Sequence, residues 1–241
     1  MNDLLLPLLI FAAALLYSSV GHGGASAYLA VLALANIESS VMRPSILALN
    51  VIVASVSFLS FYRRGWFSWS IFWPLALVSM PLAWFGGTLA LPEAVYERII
   101  GAALLFAAYR LWRPLSAPGE IATGANRAET FALGSGIGFL SGLTGVGGGI
   151  YLSPLLILRG WTSAKTASAV AAAFIVVNSV AGLIAIKPTG LPAEWKYWAI
   201  AALAGGSVGA YLGSRTLTPV ALRRTLGVVL AVASIKLLLG T

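Results

Sequence analysis

Residues 19–36 read SVGHGGASAYLAVLALAN, and they decide how the first apolar segment of the chain can fold. They lie in a run from Leu4 to Ile37 that contains no charged side chain. As a single helix this run would be about 50 Å long, whereas the hydrocarbon core of a bilayer is about 30 Å thick. The run is interrupted by three glycines and the only histidine of the chain: Gly21, His22, Gly23 and Gly24. We therefore predict that the helix breaks at this cluster.

The composition indicates a polytopic α-helical membrane protein. Of 241 residues, 59% are hydrophobic and 9% are charged, and the apolar stretches are long and lack strict alternation. There is no cysteine, which excludes disulfides and thiolate metal sites, and one histidine with seven acids leaves little for a metal centre. We expect no cofactor. The net charge of +8 is not gathered into a basic tract, so we expect contact with a lipid bilayer and not with nucleic acid.

A second glycine cluster belongs to an internal repeat. Gly21-His22-Gly23-Gly24 aligns with Gly145-Val146-Gly147-Gly148 at an offset of 124 residues. Further along, residues 89–101 align with residues 215–227 at an offset of 126. Because the matches follow in the same order, we predict two homologous halves joined by an exposed linker. The predicted repeats are residues 1–113 and 130–241, and the linker is residues 114–129.

Each half is predicted to contain one glycine-broken segment and three transmembrane spans. In the first half the broken segment is 4–37 and the spans are 44–62, 70–91 and 94–112; in the second half the broken segment is 130–158 and the spans are 166–186, 195–214 and 217–239.

The broken segments allow two arrangements. If each crosses the membrane once, the chain has eight spans and parallel halves. If each turns at its glycines, it forms a re-entrant hairpin, and the two halves are inverted. Because cytoplasmic loops carry an excess of Lys and Arg, the distribution of charge can choose between them. In the eight-span arrangement eight of the fifteen basic residues lie on one side of the membrane and seven on the other, so neither side is favoured. In the hairpin arrangement ten lie on one side and five on the other, which is the excess expected of a cytoplasmic side.

We therefore predict an all-α protein of inverted repeats with re-entrant hairpins, both termini outside and the linker in the cytoplasm. Its cytoplasmic side would hold Arg63, Arg64, Arg110, Arg113, Arg127, Arg159, Lys165, Arg215, Arg223 and Arg224.

The glycine clusters are candidates for a binding site. Non-helical backbone at membrane depth persists only where protein or a water-filled cavity surrounds it. A helix begins after each cluster, and the first N–H groups of a helix lack intrahelical partners and carry the positive end of its dipole. Two such starts facing each other near the midplane would bind a small anion, although glycines in membrane helices also permit tight packing. The glycines predicted to line the site are Gly21, Gly23, Gly24, Gly145, Gly147, Gly148 and Gly149.

His22 is the candidate for a specific role at this site. It can donate a hydrogen bond to the anion or carry a coupled proton, since the ordinary pKa of histidine is about 6.5. The alternative is a neutral histidine bonded to a backbone carbonyl. Six further polar residues are predicted to line the site or, alternatively, to stabilise helix packing: Ser26, Asn50, Thr144, Tyr151, Asn178 and Ser179.

Two basic residues occupy matched places near the end of the last helix of each half, Arg110 and Lys236. They either extend to the membrane surface or gather anions and coupled protons in a wet vestibule. No carboxylate lies in the middle of a span, so the usual parts of a proton or sodium relay are missing.

The second half resembles the signature of the TauE/SafE sulfite-exporter family of membrane permeases. The resemblance rests on GFLSGLTGVGGGIYLSPLLILRGW (138–161), followed by TSAKTASAVAAAFIVVNSVAGLI (162–184). It includes the Gly-x-Gly-Gly-Gly run, the proline five residues later and the Asn-Ser pair of the next helix. The first half is a degenerate copy, in which Ala25 replaces the third glycine of the run and His22 stands where an apolar residue is usual.

The resemblance implies a permease of the bacterial cytoplasmic membrane for small sulfur-containing anions such as sulfite or organosulfonates. We expect a secondary transporter, in the export direction. The alternatives are a passive anion channel and a non-transport assembly factor. An enzyme is not expected, because no serine–histidine pair, metal cluster or acid dyad has recognisable spacing.

Overall fold

The chain is all-α, as predicted, over the part that the structure describes. The computed structural model describes residues 4–89, 91–112, 126–188, 190–215, 230–231, 234–235 and 237–239. Most of the predicted linker and most of the predicted span 217–239 lie outside these residues. The helices are α1 (Leu5–Ser18), α2 (Ala25–Leu34), α3 (Ser39–Tyr62), α4 (Trp69–Thr88), α5 (Glu93–Trp112), α6 (Arg127–Thr144), α7 (Gly149–Leu158), α8 (Ala164–Ile186) and α9 (Trp195–Arg215).

Three of these helices are long and apolar enough to cross a membrane: α3, α4 and α8. Helices α3 and α8 have 24 and 23 residues, so each extends about 35 Å along its axis. Helices α2 and α7 have 10 residues each and are only about 15 Å long. In α2 every residue from Ala25 to Ala33 is buried, so this short helix lies inside the protein.

Helices α6 and α8 begin at side-chain caps. The Asn126 side chain accepts a hydrogen bond from the Ala128 amide at 3.0 Å, and Ser163 Oγ accepts one from the Thr166 amide at 3.3 Å. Such caps satisfy amides that have no partner within the helix. The two short helices begin differently, at Gly24 and Gly148, without a side-chain cap.

Glycines bring helices from the two halves into backbone contact. On α6, Gly134, Gly138 and Gly142 face Leu75, Ser79 and Ala83 of α4 in turn. On α9, Gly205, Gly209 and Gly213 face Phe11, Leu15 and Ser19 of the α1 segment. In both pairs the contacting residues rise by four on one helix and by four on the other. Each pair of helices therefore runs parallel. Small residues at this spacing allow the close backbone approach typical of membrane helix interfaces.

The helix contacts are reciprocal between the halves. Helix α1 packs on α9, and α6 packs on α4. Helix α3 packs on α8 and α9, and α8 packs on α3 and α4. The main packing partners of each half are therefore helices of the other half, and the short helices α2 and α7 lie against this shared core.

Candidate functional site

The first glycine loop, residues 19–24, ends α1 with a Schellman motif. The His22 amide donates to the Tyr17 carbonyl at 2.9 Å, and the Gly21 amide donates to the Ser18 carbonyl at 3.0 Å. This motif needs a left-handed residue, and Gly21 supplies it with φ of 75°. A Cβ on Gly21 would also collide with the backbone of Ser168 on α8. The sequence therefore stops the helix here for a local and a packing reason.

The second glycine loop, residues 145–148, ends α6 in a related way. Gly145 has φ of 76°, and its amide donates to the Ser141 carbonyl at 2.9 Å. Gly147 and Gly148 are left-handed as well, with φ of 79° and 78°. Helix α7 then begins at Gly149. Both loops are thus non-helical backbone enclosed by protein.

The two glycine loops meet halfway along α3 and α8. A Cβ on Gly23 would lie 2.5 Å from Asn50 Oδ1 and 3.3 Å from Ile175 Cγ2. A Cβ on Gly147 would lie 3.0 Å from Asn50 Nδ2, 2.8 Å from Ile175 Cγ2 and 3.1 Å from Ser179 Oγ. Asn50 and Ile175 are each the twelfth residue of their helix. The loops therefore approach the same two side chains, at the middle of two helices that are long and apolar enough to cross a membrane.

Polar atoms of α3 and α8 face this meeting point. Asn50 is fully buried, and its Nδ2 donates to the Val146 carbonyl of the second loop at 3.4 Å. Asn50 Oδ1 and Ser179 Oγ are buried and make no hydrogen bond. Since an unsatisfied buried polar atom costs free energy, Ser179 Oγ is available to donate to a ligand between the loops, whereas Asn50 Oδ1 can only accept.

His22 joins the two halves directly. Its Nε2 lies 3.1 Å from the Gly149 carbonyl oxygen at the start of α7. A carbonyl only accepts, so Nε2 carries the proton and donates. His22 Nδ1 is buried and makes no hydrogen bond, and the Tyr17 ring lies edge-on at 6.3 Å between centroids. His22 therefore connects the first loop to the first residue of α7.

Three of the other predicted residues make contacts within their own segment, and a fourth, Tyr151, contacts a helix of the other half. Ser26 Oγ donates to Tyr17 Oη at 2.7 Å, across the first loop. Thr144 Oγ1 donates to the Leu140 carbonyl at 2.7 Å. Asn178 Nδ2 donates to the Phe174 carbonyl of its own helix at 3.0 Å. The partly buried Tyr151 ring contacts Phe106, with 5.5 Å between centroids.

The predicted pair Arg110 and Lys236 stays a prediction. The side chain of Arg110 and the whole of Lys236 lie outside the described residues.

Arg43 makes hydrogen bonds between helices that the sequence analysis did not predict. Its Nη2 donates to three carbonyls, those of Gly86, Gly87 and Gly142, at 3.2, 3.2 and 2.6 Å. These carbonyls belong to the last turns of α4 and α6, where a cation interacts favourably with the helix dipole. The Cγ of Arg43 also lies next to Gly145. Its position beside Pro44 in the sequence indicates only a charge near a helix start, because carbonyl acceptors have no sequence signature.

Comparison with known proteins agrees with the membrane fold. Residues 6–237 match the family described as Sulfite exporter TauE/SafE. The chain is 35% identical over 239 residues to the Probable membrane transporter protein y4hK of Sinorhizobium fredii (strain NBRC 101917 / NGR234), covering 97% of each chain. No solved structure matches the chain.

The family match covers both glycine loops and nearly the whole chain. The Sinorhizobium fredii relative, which aligns over 97% of its length, is named as a probable membrane transporter. A transporter family is not an enzyme class, and its members are multi-pass membrane proteins that act on small molecules. The chain is a member of the Sulfite exporter TauE/SafE family.

Proposed function

We propose that this protein is a secondary transporter that exports small sulfur-containing anions, sulfite or organosulfonates, across the bacterial cytoplasmic membrane. The anion binds between the two glycine loops, at the starts of α2 and α7. The observation that carries the proposal is the meeting of both loops at Asn50, midway along α3, with His22 bridging from one loop to the other.

Inverted halves are supported by the directions of α3 and α8, which are equivalent helices of the two halves. Leu47 of α3 faces Gly182 of α8, while Asn50, further along α3, lies with Ile175, which is earlier on α8. The two helices therefore run antiparallel. Equivalent helices that run in opposite directions are what an inverted repeat requires.

A re-entrant hairpin in each half is supported by contacts across the loops. In the second half, Glu129 near the start of α6 forms an ion pair with Arg159, directly after α7. In the first half, Tyr17 and Ser26 are hydrogen-bonded across the loop. The ion pair brings the two ends of the second segment together, and the hydrogen bond closes the turn between α1 and α2. Both contacts are expected of segments that enter and leave on one side of the membrane.

The placement of positive charge supports the same topology. Arg63 and Arg64 line one cleft together with Lys165 and Arg215. The eight-span arrangement would put these two pairs on opposite sides of the membrane, whereas the hairpin arrangement puts all four in the cytoplasm. With that orientation both termini are outside.

The chemistry of the meeting point suits an anion. The starts of α2 and α7 have no side-chain cap, so their first amides are free to donate to a ligand. An oxyanion there would accept from these amides, from Ser179 Oγ and from His22, which would exchange its bond to the Gly149 carbonyl for one to the anion. Because this exchange separates the loops, it links binding to a change in the contact between the halves.

The test is sulfite flux in proteoliposomes that contain the purified protein. A secondary transporter coupled to protons accumulates sulfite against its own gradient when a proton gradient is imposed. A passive channel only equilibrates sulfite, and an assembly factor carries none. A panel of sulfite, sulfate, thiosulfate, sulfoacetate and acetate, compared by the rise in melting temperature that each produces, identifies the anion independently of direction.

A further inference from the structure

A basic cleft lies at the end of the molecule where α3 and α9 finish. It has a volume of about 660 Å³, and its walls are Ser60, Arg63, Arg64, Trp66, Lys165, Tyr211, Ser214 and Arg215. Four of these eight residues are cationic and none is acidic. Four positive charges in one cleft repel one another, and this repulsion costs free energy. An anion bound between them would offset that cost.

The aromatic walls hold two of the cations in place. The guanidinium carbon of Arg215 lies 3.9 Å from the ring centroid of Tyr211, and Lys165 Nζ lies 4.9 Å from that of Trp66. Cations ordered by such contacts lose less rotamer freedom when they bind a ligand. The Ser60 hydroxyl adds a hydrogen-bond donor, whereas Ser214 Oγ donates to the Tyr211 carbonyl at 3.1 Å.

The cleft borders the first glycine loop. Ser214 follows Gly213, which packs against the Ser19 backbone at the start of this loop. Lys165 lies one helical turn before Ser168, whose backbone contacts Gly21 of the same loop. Ser214 and Lys165 of the cleft therefore lie one residue and one helical turn, respectively, from residues that contact the loop.

From this arrangement we propose that the basic cleft is a second oxyanion-binding site, distinct from the glycine loops, which holds a sulfite, sulfonate or phosphate group by Arg63, Arg64, Lys165 and Arg215. Its role as the cytoplasmic reception site for the exported anion rests on the proposed function. Its binding of an oxyanion does not, since the four cations act with or without transport.

Sulfite titrated calorimetrically into the purified protein in phosphatidylcholine nanodiscs tests the proposal. At low salt we expect two binding steps. Replacing Arg63→Gln together with Arg64→Gln weakens one step by about tenfold, the equivalent of one charge-assisted hydrogen bond. High salt weakens the same step in the wild-type protein, because screening acts most strongly on exposed charges. Both arginines are exposed, so their replacement leaves the core intact.

The matched control is Arg98→Gln, an exposed arginine on α5 outside the cleft, which keeps both steps. If the double variant binds sulfite like the wild type, the proposal is wrong. Wild-type sulfite flux in His22→Ala, together with weakened binding in the double variant, would refute the glycine-loop site and leave the cleft standing. Normal binding in the double variant with lost flux in His22→Ala would do the reverse.

A lipid headgroup and a free anion carry the same oxyanion chemistry, and a second arm separates them. In nanodiscs with phosphatidylglycerol, a cleft that takes a lipid phosphate loses its sulfite step in the wild type. A cleft that takes the free anion keeps it. Either result supports an oxyanion site and identifies its source.

Discussion

The side chain of His22 links the two halves by a hydrogen bond to the Gly149 carbonyl. It was predicted as a donor to the anion or a carrier of a proton, with a neutral histidine bonded to a carbonyl as the alternative. The structure contains the carbonyl contact, to Gly149. The structure therefore contains the contact that the alternative named, and donation by the same Nε2–H to an anion stays a prediction.

Replacing His22→Ala is expected to lower sulfite flux by at least about tenfold, because one charge-assisted hydrogen bond to the anion is lost. His22→Gln should retain more flux, since its amide nitrogen can still donate. The rates are measured in proteoliposomes after size-exclusion chromatography has shown that each variant is folded. Equal rates in the alanine variant and the wild type would remove His22 from the transport site.

Arg43 has a structural role that the residue pattern did not predict. With its three carbonyl contacts removed in Arg43→Gln, we expect the free energy of unfolding to fall by about 1.5–3 kcal/mol. Arg98→Gln is the control and should change it by less than about 0.5 kcal/mol. Unfolding by a denaturing detergent measures both. A stable Arg43→Gln protein would mean that water or other donors satisfy the ends of α4 and α6.

At the scale of helices, the glycine breaks could be predicted and their packing partners could not. Left-handed backbone at Gly21 and Gly145 follows from local chemistry, because glycine alone adopts it without strain. The same clusters were predicted either to bind an anion or to pack tightly, and the structure shows close packing of Gly23 and Gly147 against Asn50. Which side chain these glycines contact depends on tertiary contacts between the halves, and no local sequence pattern encodes those contacts.

The parallel packing of α6 on α4 gives a prediction with an internal control. A Cβ at Gly142 would collide with the Ala83 backbone, so Gly142→Ala should destabilise the protein by about 1–3 kcal/mol. Gly136 lies on the same helix with nothing within 4 Å of its Cβ position, so Gly136→Ala should be neutral or stabilise by up to about 1 kcal/mol. Melting temperatures in detergent compare the two. If both substitutions behave alike, the helices do not pack as described.

At the scale of the whole molecule, the two homologous halves stay a prediction, which the positions of the two short helices support. Helices α2 and α7, Ala25–Leu34 and Gly149–Leu158, are related by the repeat offset of 124 residues at both ends. The exchange of partners between the halves could not be predicted, because the glycines that permit it lie on α6 and α9, which are not equivalent helices. Packing faces can move from one partner to the other while the fold persists.

The inverted topology predicts which loops share a side of the membrane. The chain has no cysteine, so single cysteines can be introduced and labelled with a membrane-impermeant maleimide. We expect Ser68→Cys and Ala164→Cys to be labelled from the cytoplasmic side and Gly190→Cys from the outside. Labelling of Ser68→Cys and Gly190→Cys from one side, with Ala164→Cys on the other, would instead establish eight spans and parallel halves.

The central claim is that amides at two opposed glycine loops bind the anion in the middle of the membrane. Selenite has the shape of sulfite and a heavier central atom, so anomalous diffraction from crystals grown with selenite locates it directly. If the amides bind the anion, a selenium peak lies about 4 Å from the backbone nitrogens at the starts of α2 and α7, next to His22 and Asn50. Selenium bound elsewhere, with His22 still donating to the Gly149 carbonyl and the glycine loops unchanged, would contradict the claim.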